Sequence, residues 1–157
     1  MKEIKTVKAK DIMRKSIIKI SIDETICTAA KLMTQNKIGF LPVVNKNRLV
    51  GVVTDRDIVN RAISKEKDVN TPIHFIMTSN VITVNKNDDI SIVISKMADN
   101  QIRRIIVTES EEIKGIIGIS DIAGNTATTP YFYALIQEIF IPETNNIFLI
   151  KDISIKI

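Results

Sequence analysis

Gly51-Val52-Val53-Thr54-Asp55-Arg56-Asp57-Ile58 returns sixty-four residues later as Gly115-Ile116-Ile117-Gly118-Ile119-Ser120-Asp121-Ile122. Each stretch is an apolar, β-branched run that breaks into short polar residues ahead of an aspartate, the pattern of a strand feeding a helix. A repeat governs the reading of everything between its copies. The same offset holds without a gap over residues 11–58: Ile12/Ile76, Met13/Met77, Ile18/Ile82, Ile26/Ile90, Met33/Met97, Asn36/Asn100, Ile38/Ile102, Val43/Val107, Gly51/Gly115, Asp57/Asp121 and Ile58/Ile122 are identical pairs. Several further pairs, among them Ile17/Val81, Ile20/Val84, Leu41/Ile105, Leu49/Ile113, Val52/Ile116 and Val53/Ile117, exchange one aliphatic side chain for another. Duplication of one unit is the simplest account.

Within each copy the elements follow one order. Ile17-Ile18-Lys19-Ile20 and Val81-Ile82-Thr83-Val84 are short, β-branched and predict a strand. Ile26, Ala29, Ala30 and Met33, and again Ile90, Val93, Ile94 and Met97, fall at 0, 3, 4 and 7 and predict a helix with one apolar face. Asp23-Glu24-Thr25 and Asn87-Asp88-Asp89 supply the N-caps and negative charge at the helix start. Phe40–Val44 with Leu49–Val53, and Arg104–Val107 with Ile113–Ile117, are apolar runs joined by short polar stretches and predict hairpins. The closing helix is regular over Asp55–Ile63, whereas Ala123-Gly124-Asn125-Thr126 contains poor helix formers. Each unit is therefore strand–helix–strand–strand–helix, with the first two strands parallel through a right-handed crossover. The fold class is α/β (α+β), with the two apolar sheet faces packed on each other. The expected boundaries are 7–63 for the first unit, 64–74 for a linker with Thr71-Pro72 as cap and first helical residue, 75–123 for the second unit, and 124–157 for a C-terminal extension.

Composition narrows the function classes. A chain of 157 residues that is 45% hydrophobic buries a core without metals or crosslinks. Cys27 has no cysteine partner, and one His with one Cys makes no zinc site of the usual kind, so a reducing cytoplasm is expected. No stretch approaches the ~18 uninterrupted apolar residues of a membrane span. Residues 1–19 carry seven Lys/Arg against two acids, so the net charge of +4 is an N-terminal feature. That strip reads either as solvated surface or as a phosphate-contacting segment.

The order of these motifs, with Gly39-Phe40-Leu41-Pro42-Val43-Val44 ahead of Gly51–Ile58 and Ile102-Arg103-Arg104-Ile105-Ile106-Val107 ahead of Gly115–Ile122, resembles a tandem pair of CBS (cystathionine-beta-synthase) domains over roughly residues 7–123. The resemblance implies two sheets packed about a pseudo-two-fold axis and clefts that bind AMP, ADP, ATP or S-adenosylmethionine. It also implies a homodimer of pairs and a regulatory, non-catalytic role toward an unidentified protein.

Thr54-x-x-Asp57 has two readings. The spacing is that of a capping box, which explains both residues by helix stability alone. A helix N-terminus also offers N–H groups and a hydroxyl to phosphate, and a carboxylate accepts from both ribose hydroxyls. The resemblance assigns Asp57 to the ribose, through the family pattern G-x-x-[ST]-x-x-D. The second copy departs from it at Gly118 while keeping Ser120 and Asp121. Arg103 and Arg104 are either solvated surface or charges for a phosphate chain, and Arg56 has the same two readings. The resemblance further implies that Asp57 shares a cleft with Val81, Arg103, Arg104 and Ile105, and Asp121 with Ile17, Ile18, Phe40, Leu41 and Pro42.

Nothing points to an enzyme: there is no phosphate loop of the G-x-x-x-x-G-K-[ST] type, and His74 is the only imidazole. No cofactor or metal is expected. The principal expectation is an adenine-nucleotide sensor; the alternative is a nucleic-acid-associated regulator that uses the basic N-terminus. In the extension, Phe132, Leu135, Ile136 and Ile139 predict a helix over about 130–140, and the alternation of Ile147, Leu149, Ile153, Ile155 and Ile157 predicts a strand over about 147–157. Such an apolar tail needs cover from its own core or from a second subunit.

Overall fold

The first repeat helix is set by its ends. Thr25 accepts from the Thr28 N–H at the start of α2 (Ile26–Asn36), and Lys37, in the left-handed region at φ 53°, closes it. Its apolar stripe of Ile26, Ala29 and Met33 is buried. The computed structural model of the chain describes residues 7–125 and, beyond them, Thr128, Phe132, residues 135–137 and Ile139.

Around α2 lie α1 (Ala9–Ile12), β1 (Ile20–Ser21), β2 (Phe40–Asn45), β3 (Arg48–Thr54) and α3 (Asp55–Asp57). The second unit repeats them as a single-turn 3₁₀ helix (Ile73–Phe75), β4 (Thr83–Asn85), α4 (Ile90–Asp99), β5 (Arg104–Glu109), β6 (Glu112–Gly118) and α5 (Ile119–Ala123). Each sheet has three strands, parallel between its first two and antiparallel in the hairpin. Both hairpins turn on two residues in the left-handed region, Lys46-Asn47 and Ser110-Glu111, the geometry that matches strand twist. β3 and β6 meet between the sheets. The architecture expected from the sequence, two strand–helix–strand–strand–helix units packed sheet to sheet, is the one observed.

Two details differ from the local reading. The strands expected at Ile17–Ile20 and Val81–Val84 are shorter and lie further along, because ladder pairing begins only where β2 and β5 come alongside, at Ile20↔Val43 and Thr83↔Ile106. The helix opened by α3 also changes pitch, widening to π over Ile58–Ala62 and tightening to 3₁₀ over Ile63–Lys65.

The two units exchange their leading segments. Ala9, fully buried, sits in the core of the second unit with Val84, Val93, Met97, Ile105 and Ile117, and Val7, Ile12 and Met13 pack against that core. Ile73 and Ile76 belong to the first core, with Ile20, Met33, Leu41, Val43 and Val53. The hydrogen bonds repeat at the same offset: Arg14 and Ile116 exchange both backbone bonds, as do Thr78 and Val52. Glycine is required where each segment crosses the partner sheet. A Cβ on Gly51 would stand 2.5 Å from Met77 Sδ and 3.1 Å from the Thr78 carbonyl, and one on Gly115 would stand 2.6 Å from Met13 Sδ. Ile73 thus lies inside a core although it falls in the stretch expected to be the linker, and residues 7–13 pack on the unit other than the one they lead into.

Of the helix expected over residues 130–140, Phe132, residues 135–137 and Ile139 are helical; the strand expected over 147–157 lies outside the described residues. Among the described residues no helix is long and apolar enough to cross a membrane.

Candidate nucleotide clefts

Thr54 is the last residue of β3 and the N-cap of α3. Its N–H and its hydroxyl both donate to Asp57 Oδ2, at 2.9 and 2.7 Å, while its Oγ accepts from the Asp57 N–H at 3.1 Å. The capping box is therefore real, and it does more than cap: it turns the Asp57 carboxylate back over the strand end. The other oxygen, Oδ1, lies 3.3 Å from Arg61 Nε one turn along. Arg61 is itself anchored, because its Nη1 donates to the Ile76 carbonyl and the Thr78 hydroxyl. Asp57 keeps 15% of its side chain exposed, enough to meet a ligand at one edge.

The N–H groups of this helix start are already spoken for. Asp55 N–H donates to the Gly39 carbonyl, Arg56 N–H to Asp55 Oδ1 and Asp57 N–H to Thr54. An anion arriving here meets guanidinium groups more readily than backbone donors.

Asp57 opens onto a cleft of about 810 Å³ between the units. Of the residues singled out in the sequence, Phe40, Thr54, Arg56, Asp57, Val81, Arg103, Arg104 and Ser120 line it. Leu41 and Ile105 lie in the two cores, at 0% and 1% exposure, and Pro42 is buried within β2. Ile17 and Ile18 are half-buried in the segment before β1, Ile18 against the first core. Asp121 stands in a second, more open cleft of about 490 Å³, with Ile12, Ser120, Gly124 and Asn125. Phe40 is thus on the Asp57 side, and Ser120 lines both clefts.

In the second cleft the Gly118 N–H donates to Asp121 Oδ2 at 2.8 Å, with no hydroxyl beside it, and Arg14 Nε meets Asp121 Oδ1 at 2.5 Å. The two arginines come from unrelated places. Under the offset of sixty-four, Arg14 corresponds to Thr78 and Arg61 to Asn125. Each aspartate therefore faces one arginine, supplied by the helix in one unit and by the leading segment in the other. Thr78, Asn80, Arg61 and Arg14 were not singled out in the sequence, although the repeat register holds the signal for the Arg/Thr and Arg/Asn exchanges.

Among the described residues no group of His, Cys, Asp and Glu is placed to hold a metal ion. His74 packs on Phe75 with ring centroids 4.3 Å apart, and Cys27 is half-buried on α2. The clefts offer carboxylates for hydroxyl recognition and guanidinium groups for anions, which is binding chemistry.

The chain is similar to known proteins over both units. The chain is 34% identical over 116 residues to the CBS domain-containing protein YhcV of Bacillus subtilis, covering 74% of this chain and 83% of that one. The CBS domain pair of protein MJ0100, solved in complex with 5′-methylthioadenosine and S-adenosyl-L-methionine, superposes with a TM-score of 0.69 at 31% identity, over 76% of this chain and 94% of that one. The CBS domain protein PAE2072 from Pyrobaculum aerophilum, complexed with AMP, superposes with a TM-score of 0.74 at 25% identity, over 82% and 99%. The CBS domain family model matches residues 9–64 and again 71–126. Two copies of one fold, each closing on a capped aspartate, and a family match to each copy lead to one conclusion: the chain belongs to the CBS domain family as a tandem pair.

Proposed function

We propose that this chain is a non-catalytic regulatory module that binds an adenosine-containing ligand, AMP, ADP, ATP or S-adenosylmethionine, in the cleft at Asp57 and passes its presence to a partner protein. The observation that carries the reading is the Asp57 carboxylate, held by Thr54 at the edge of a cleft whose far wall brings Arg103 and Arg104 from the other unit. A carboxylate oriented in this way accepts from the two ribose hydroxyls. Val81 and Phe40 offer apolar surface to the base, and the guanidinium groups of Arg56, Arg103 and Arg104 take the phosphate. The AMP and S-adenosylmethionine complexes of related pairs support the ligand class. Asp121, with Ser120, forms the second and weaker site.

Calorimetric titration of the purified chain with AMP, ATP and S-adenosylmethionine tests this. Asp57→Ala is expected to remove the tighter binding event. It also takes away the acceptor of the Thr54 N–H and hydroxyl, at a cost of about 0.5–2 kcal/mol of stability, so Asp57→Asn is the cleaner variant: its side-chain oxygen still accepts from Thr54, while its amide gives up the pair with Arg61. Asp57→Asn should fold like the parent and lose at least about tenfold in affinity, as expected when a charged acceptor is lost. Unchanged binding in both variants would remove Asp57 from the site. A parent chain that binds none of the three ligands would sink the nucleotide reading.

The same proposal includes a homodimer. Val59 and Ile63, one turn apart beyond α3, are 57% and 58% exposed, a pairing of large aliphatic side chains that a second copy would cover. Light scattering across micromolar concentrations reads it directly, and a monomer throughout would refute it. The basic N-terminus gives the nucleic-acid alternative little support, since the Nζ groups of Lys8 and Lys10 donate to Asn87.

A further inference from the structure

The Asp57 cleft has a wall that belongs to neither repeat. Ile136 lines it beside Ile102, Arg103 and Ile119, ten residues past position 126, where the second family match ends. Its neighbour Leu135 is 1% exposed in the core of the second unit, and Phe132 and Ile139 pack against that same core. Residues 132, 135, 136 and 139 fall on one helical stripe, with 135 and 136 at its two edges, about 100° apart. The helix is thus anchored through Phe132, Leu135 and Ile139 and meets the cleft with the edge that carries Ile136. The second cleft has no such wall among the described residues: Ile12, Ser120, Asp121, Gly124 and Asn125 line it.

We infer that Ile136 is a ligand-contact residue of the Asp57 cleft, and that docking of the extension and occupancy of that cleft stabilise one another. This rests on the nucleotide reading above. The physical basis is differential contact. A nucleotide in the cleft covers the half-exposed Ile136 only while Leu135 is seated in the second core, so the ligand favours the docked extension over any undocked state. Linkage makes the effect reciprocal: a docked extension raises affinity by the factor by which the ligand favours docking. The coupling belongs to the Asp57 cleft, which adds to the differences between the two sites and makes them report differently.

The experiment is calorimetric titration of the full chain and of Ile136→Ala with AMP, together with hydrogen exchange across residues 128–139 with and without AMP. Losing three side-chain carbons from a partly covered contact should weaken AMP binding about three- to tenfold. In the unmodified chain AMP should slow exchange over residues 128–139, and Asp57→Asn should abolish that slowing. Should the parent bind AMP while Ile136→Ala binds it equally well and exchange over 128–139 stays the same, the coupling is refuted and the nucleotide reading stands. Should the parent bind no AMP, both fall together. If Ile136→Ala folds poorly, the exchange measurement on the unmodified chain decides alone.

Discussion

The first unit closes with an unbroken helix from Asp55 to Lys65, while in the second α5 stops at Ala123 and Gly124. The first fills its core from its own helix, through Ala62 and Ile58; the second has Ile122 and then Leu135, borrowed from the extension. The ligand-side differences run in parallel. Asp57 is held by a hydroxyl, a backbone N–H and a helix arginine, whereas Asp121 is held by a backbone N–H and an arginine from the leading segment. Two copies of one architecture have kept the aspartate and the arginine opposite it while changing which element supplies the arginine. What persists is the placement of charge. The sequence position that provides it is interchangeable, because the exchange of leading segments brings residues 14 and 78 to equivalent places.

That exchange is where the comparison breaks most readily. Gly51 and Gly115 let Met77 and Met13 cross the partner sheet, and the two crossings are not equally forgiving. At Gly115 a Cβ would meet Met13 Sδ, Cγ and Cβ, all within 2.8 Å, so the segment itself must move; at Gly51 the closest atom is the far end of the flexible Met77 side chain. Gly115→Ala is therefore expected to cost about 1–3 kcal/mol as an overpacking change, and Gly51→Ala less. Urea unfolding measures both. In a double-mutant cycle Met77→Ala should recover more of the Gly51→Ala loss than Met13→Ala recovers of the Gly115→Ala loss. Equal costs and equal rescue would show the two crossings to be equivalent.

Much of this was legible in the chain because it is local or periodic. The stripe of Ile26, Ala29 and Met33, the cap at Thr54 and the offset of the two aspartates each announce themselves within a few residues or by repetition. The exchange of leading segments does not, since the pattern around Ile73 or Ala9 says that a residue is buried without saying in which core. β1 was expected early for a related reason: Ile17 and Ile18 have strand chemistry, but only a partner strand makes a strand, and β2 first pairs at Ile20. In the cleft, Asp57, Arg103 and Arg104 were found by motif, but Leu41 and Ile105 were not separable from it by sequence. β2 and β5 each bury three consecutive residues, so burial does not mark the face; alternate residues point to the unit's own core, and the register is settled by the sheet.

The arginines give a smaller contrast. Arg61 ties the helix of the first unit to the segment of residues 76–78 through Ile76, Thr78 and Asp57, and is 47% exposed; Arg14 meets Asp121 and, at 3.4 Å, Ser120, and is 67% exposed. Removing Arg61 takes partners from a carbonyl and a hydroxyl as well as a carboxylate, so Arg61→Ala should cost about 1–2 kcal/mol. Arg14→Ala removes a solvent-screened pair and should cost no more than about 0.5–1 kcal/mol. Thermal unfolding of the two variants at low and high salt distinguishes them, the Arg14 effect fading with salt. A salt-independent loss for Arg14→Ala would make its pair a structural one and erase the contrast.

The smallest effect is the sharpest test of what separates the two aspartates. Gly118 stands where the first unit has Thr54, and the space for a side chain is there: a Cβ would lie 3.4 Å from Asp121 Oδ2 and 3.7 Å from Ser120 Oγ, at ordinary van der Waals distance. Backbone φ at Gly118 is −108°, open to any residue. Gly118→Ser should therefore fold without strain and gain a few tenths of a kcal/mol from the new cap hydroxyl. Its effect on ligand affinity should also be modest. In the first unit the Thr54 proton is donated to Asp57 rather than into the cleft, so what the hydroxyl contributes is orientation of the carboxylate. Raising AMP affinity at the second site by about two- to fivefold, which is under 1 kcal/mol, would fit an orienting hydroxyl. A gain of tenfold or more would mean that the hydroxyl contacts the ligand itself, and no gain would place the difference between the clefts in Arg61 and Arg14 instead.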